Sequence, residues 1–120
     1  MFAEALPTDC PPPVACEQDG FVAYRLLEAK TPCAEDFASH AARWPEKYGS
    51  QCKHFAVSVF SKKESLARLL EMPVHAHKCV GRLLLAASSG KVQQTGKDAT
   101  HHSWWRYSEF DAVAACEVDE

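Results

Sequence analysis

Long apolar runs are missing from this sequence: no stretch approaches the roughly 18–20 residues of a membrane span, and none is expected. The opening Met1-Phe2-Ala3-Glu4-Ala5-Leu6-Pro7 has no basic start and no extended apolar stretch, so no secretory signal is read there. A large excess of one charge sign is missing too. Thirteen Lys and Arg against sixteen Asp and Glu leave a formal net charge of -3, which argues against a polycationic nucleic-acid or membrane-surface binder. Glycine is scarce, with five residues in 120. No dinucleotide fingerprint and no Gly-x-Ser-x-Gly elbow occurs. Gly90 is separated from Gly96-Lys97 by one residue too many for a Walker-type phosphate loop, and Asp98 stands where that loop needs Ser or Thr. Cys-x-x-Cys pairs are likewise absent, so a zinc knuckle or thioredoxin-type redox site has no local support.

What is present is the composition of one globular domain: 120 residues, 47% hydrophobic and 24% charged. The six cysteines (Cys10, Cys16, Cys33, Cys52, Cys79 and Cys116), without an export signal, read as reduced thiols of a cytosolic protein, so a cytoplasmic location is expected. Residues 1–19 form an extended Pro-rich lead-in, because Pro7 and Pro11-Pro12-Pro13 exclude helix and central strand. A single α+β domain then runs over 20–120.

The expected elements alternate. Phe21 to Leu27 suits a buried strand. Thr31-Pro32 opens a helix carrying an apolar stripe through Ala34, Phe37, Ala38, Ala41 and Trp44. His54 to Phe60 reads as a strand with Phe55, Val57 and Val59 on one face. Ser61-Lys62-Lys63-Glu64 is a capping box opening a second helix with a Leu66, Leu69, Leu70 stripe. Cys79 to Ala87 is a strand, Ser88 to Lys91 a turn, and Val92 to Thr95 a short strand returning as its hairpin partner. Asp111 to Val118 closes the domain as a strand. The sum is a mainly antiparallel sheet of about five strands with two helices.

Chemistry concentrates in His101-His102-Ser103-Trp104-Trp105-Arg106. In an extended segment His101, Ser103 and Trp105 share one face, and His102 and Trp104 the other. One indole is then expected in the core and the other in a cleft, beside imidazoles and guanidinium that suit a planar or phosphorylated ligand. Arg25 and Ser58 stand out as polar groups inside apolar strands that require partners. The expected ligand-binding set is therefore Arg25, Ser58, His101, His102, Trp104, Trp105 and Arg106. In a strand, His75, His77 and Cys79 alternate as metal ligands can, with His101 or His102 as a fourth ligand, but the spacing is generic. A small binding or accessory protein for a small molecule or a protein partner is the leading expectation, with no cofactor. An exposed tryptophan on a flat apolar patch would instead indicate an interaction protein, seen in solution as a homodimer.

An arginine in the first strand, a serine-bearing strand and a late glutamate follow in the order of the ADP-ribosyltransferases, which this layout resembles. That resemblance implies an NAD-using enzyme in which Arg25 contacts the dinucleotide, Ser58 organises the pocket, and Glu109 or Glu117 is the catalytic acid. It requires those side chains to converge on one cavity. Where the family has Ser-Thr-Ser, this chain has Ser-Val-Phe-Ser. The Tyr24-Arg25 strand, the Ser58-Val59-Phe60 junction and the His101-His102-Ser103-Trp104-Trp105 motif are also similar to those of short uncharacterised bacterial proteins of mobile gene cassettes, a likeness that implies no activity.

Overall fold

The computed structural model describes residues 1–119, and among these the fold is α+β, with one six-stranded antiparallel sheet in the order β4-β5-β2-β1-β3-β6. The strands are β1 (Phe21–Leu27), β2 (Val57–Phe60), β3 (Cys79–Leu85), β4 (Gly90–Gln94), β5 (His101–Arg106) and β6 (Glu117–Val118). Four short α-helices lie among them: α1 (His40–Arg43), α2 (Pro45–Tyr48), α3 (Glu64–Leu70) and α4 (Ala112–Ala115). No helix of the described residues is long and apolar enough to cross a membrane.

β3 and β4 lie far apart in the sheet order, yet only residues 86–89 join them, as a 3₁₀ turn over Ala87–Ser89. A flat sheet would separate the two strands by roughly 19 Å at about 4.8 Å per step, more than a turn rising about 2 Å per residue can span. The sheet therefore curls. One face of it collects Ala23, Leu27, Val57, Val59, Leu83, Leu85 and Trp104 as the main core, with Phe37 and Val92. Gly90 makes the tight entry to β4 possible: its φ is +139°, and a Cβ there would collide with the Trp105 carbonyl oxygen.

Several expectations are corrected. The helix foreseen from Thr31 to Trp44 is broken into a 3₁₀ turn over Ala34–Phe37, then α1 and α2. Two contacts from outside the segment break it. The Asp36 carbonyl, which in a continuous helix accepts the amide four residues on, accepts from Arg25 Nε instead. Ser39 begins a new helix by accepting from the Ala42 amide at 3.1 Å, and its own N–H and hydroxyl both bond the Glu4 carboxylate.

The strand foreseen from His54 is shortened at its start because Cys52–Phe55 winds into a 3₁₀ turn, putting Phe55 in a second cluster. β4 forms its hairpin with β5, pairing Val92 with Trp104, and not with β3. α3 begins at Glu64 with Lys63 at its N-cap, while the Ser61 amide stays with the sheet by donating to the Thr100 carbonyl, so the capping box does not form. Asp111 caps α4 through the Ala114 amide at 3.1 Å, which reduces the expected closing strand to β6.

The lead-in is sewn to the domain. Phe2 bridges Tyr107, Cys16 bridges Val92, and a disulfide joins Cys10 to Cys52, correcting the all-thiol expectation. With Leu6 and Ala15, this segment covers Trp105 on the opposite face of the sheet as the second core.

Candidate functional site

β1 and β2 share one registered pair, Tyr24 with Phe60, before they part. Arg25 fills the opening. Its Nη1 donates to the Ser58 carbonyl at 2.6 Å and its Nε to the Asp36 carbonyl, so one guanidinium ties β1, β2 and the Ala34–Phe37 turn together. Burial lowers its pKa to about 10, against the opposing pull of Asp36, and the group stays charged at neutral pH.

Two adjoining recesses of about 450 and 440 Å³ meet at this point, both lined by Arg25, His40, Ser58 and His101. The first continues past Arg43, Trp44 and Leu69. Its Trp44 indole is 47% exposed and carries the Arg43 guanidinium 4.5 Å above the ring. The second continues past Lys53, His54 and Thr95. Among its described lining residues the permanent charges are those of Arg25 and Lys53, both positive. His40 senses that field: desolvation first, then the charges of Arg25, His54, Arg43 and Lys47, hold its imidazole below the ordinary histidine value.

Between the recesses runs a polar chain. The β2–β5 register pairs Ser58 with Ser103 and sets His101 diagonally across from Ser58. His101 Nδ1 lies 3.0 Å from the Thr95 carbonyl oxygen and 3.1 Å from the Thr95 hydroxyl; the carbonyl can only accept, which favours the tautomer with the proton on Nδ1. Nε2 is left to accept from the Ser58 hydroxyl at 3.1 Å. The Thr95 hydroxyl bonds Ser103 Oγ at 2.8 Å.

Of the seven residues expected to bind ligand, Arg25, Ser58 and His101 come together here. The other four do not. Trp104 is wholly buried on the core face, its Nε1 donating to the Ser89 carbonyl at 3.1 Å. Trp105 is sealed beneath the lead-in, its Nε1 donating to the Cys52 carbonyl at 3.2 Å. Neither indole reaches the cleft or an exposed patch, since Trp104 is covered by the main core and Trp105 by the second cluster. His102 packs its ring 4.8 Å from Phe21, and Arg106 lies with Glu4, Leu6 and Trp105.

Neither glutamate required by the transferase resemblance joins Arg25 and Ser58. Glu109 lies 3.6 Å from the N-terminal ammonium, in another recess beside Arg106 and Phe110. Glu117 is on β6, paired with Arg82 near the far edge of the sheet. The metal-ligand geometry is also corrected. Pro73–His75 is a 3₁₀ turn, His77 bonds Glu28 at 3.1 Å and Cys79 starts β3, so the alternation of an extended strand is lost. Among the described residues no group of three or more His, Cys, Asp or Glu side chains could hold a metal ion.

His40, Arg43, Trp44, Lys53 and His54 are the site residues that pattern reading missed. The one available signal was Trp44 directly before Pro45, a large aromatic at a helix end where core packing is least assured. Set against known proteins, the chain matches no family model, no curated protein and no solved structure.

Proposed function

We propose that this chain is a small-molecule binding protein whose cleft takes an anionic ligand, phosphorylated or carboxylated. The observation that supports this most directly is the lining of the second recess, where Arg25 and Lys53 are joined by the imidazoles of His40, His54 and His101. Such a field concentrates anions and strengthens their hydrogen bonds where water is partly excluded. The exposed Trp44 indole in the adjoining recess offers a planar ligand a stacking face. A volume near 450 Å³ suits a small metabolite. The Cys10–Cys52 bond favours an oxidising compartment over the cytoplasm, where thiols are kept reduced.

Thermal melts with inorganic pyrophosphate and with AMP test the reading, since a specific ligand stabilises by mass action. Both should raise the melting temperature of the wild-type chain. The double variant Lys53→Gln, Arg43→Gln alters two exposed side chains and should lose most of that rise. No rise in the wild type, or an equal rise in the variant, refutes it.

A further inference from the structure

Within the anion-binding cleft, on whose reading this inference rests, the Ser58–His101 pair does more than satisfy polar atoms. We propose that Ser58 is a nucleophile and His101 its general base, acting on a small carboxylic ester whose acyl group carries an anionic charge.

Three observations support this. First, His101 Nδ1 faces the Thr95 carbonyl at 3.0 Å and the Thr95 hydroxyl at 3.1 Å, and in the tautomer that donates to that carbonyl the Nε2 lone pair is directed at Ser58 Oγ at 3.1 Å. This is the base–nucleophile hydrogen bond that general-base activation requires, with the base oriented by a third group. Thr95 is the positioning residue, held in turn by Ser103 at 2.8 Å. Second, the nucleophile is accessible: Ser58 is an exposed residue between buried Val57 and Val59 of β2, and it lines both recesses. Its backbone is pinned by Arg25 at 2.6 Å, so the hydroxyl is presented from a fixed strand. Third, Arg25 and Lys53 supply positive charge for the substrate anion and for the oxyanion that develops on attack.

In the first step Ser58 Oγ bonds to the ester carbonyl carbon as its proton passes to His101 Nε2. The carbon–oxygen bond to the alcohol then breaks, and the leaving alkoxide takes that proton. In the second step water attacks the acyl-serine, giving its proton to Nε2, and Ser58 leaves with it. The products are a carboxylic acid and an alcohol, with no redox partner.

The probes are 4-nitrophenyl hydrogen succinate and the neutral 4-nitrophenyl acetate, with intact-mass and peptide mapping of the trapped chain. The wild type should release a burst approaching one nitrophenolate per chain, faster with the anionic ester, and should carry the acyl group on Ser58. Ser58→Ala should abolish the burst. His101→Asn keeps an amide that can donate to the Thr95 carbonyl but has no base, and should slow acylation about 10²-fold or more. In His101→Ala, added imidazole should restore part of the rate, which a structural role would not produce. An acyl group found on Lys53 or any other lysine that survives Ser58→Ala, or an unchanged rate in His101→Asn, overturns the proposal. If pyrophosphate stabilises the chain but no burst is seen, the nucleophile falls and the binding cleft stands. If neither occurs, both fall.

Discussion

Arg25 is the side chain whose sequence-based reading changes most. An arginine in an apolar strand run was expected to face a ligand, and it does line the cleft. Its guanidinium is also bonded to two backbone carbonyls from two other elements. Removing it leaves the partly buried Asp36 carbonyl without that donor, at about 1–3 kcal/mol for a buried acceptor left unsatisfied, while water can reach the exposed Ser58 carbonyl. Arg25→Ala should therefore lower the urea midpoint substantially. Arg25→Lys should recover only part of the loss, because an ammonium on a flexible stem lacks the planar fork that spans two acceptors. Equal stability of all three chains would show the two bonds to be incidental. His40 gives a second test at the same scale. Its folded pKa is lowered, so its contribution to stability is present above the unfolded value of ~6.5 and is lost as pH falls through the folded value. An anion seated in the cleft offsets the surrounding positive charge, so pyrophosphate should move the His40 titration upward in NMR, while an unmoved curve would place the anion elsewhere.

Among the elements, α3 shows what local pattern delivers. Its leucine stripe forms, but Leu66 is the buried member at 1% exposure, while Leu69 is half-buried at the cleft. Leu66→Ala should cost about 2–5 kcal/mol in thermal or chemical melts and Leu69→Ala clearly less; equal costs would put the helix in a different rotation. β1 was legible to the residue, because an apolar run with Phe, Val and Tyr starts directly after Gly20. The alternation of β5 was legible as well. Which of its faces is open was not, because Trp105 is covered by a segment tethered through Cys10, far away in sequence. Arg25 and Ser58 could be found because each is a polar group set among apolar strand residues, and His101 because it opens the run of imidazoles and indoles in β5. His40 and Trp44 could not, because the break that turns α1 and α2 toward the cleft depends on Glu4 and Arg25.

Across the whole molecule, the disulfide decides how much of the chain belongs to the domain. The lead-in supplies Phe2, Leu6 and Ala15 to the second core and is closed onto Cys52. Thiol titration of the denatured, unreduced chain should count Cys16, Cys33, Cys79 and Cys116 only, and reduction should add the remaining two. Reduction should also lower the melting temperature by loosening the cover over Trp105. Finding all six thiols reactive before reduction would remove the clip.

A sheet held across its middle by one rung and one guanidinium has a seam, and the cleft lies along it. Amides on either side of that seam should exchange with solvent before those between β1 and β3. Any guest that draws Arg25 away from its two carbonyls must unfasten the stitch that keeps the halves together, so a tight guest here is one that leaves the stitch in place.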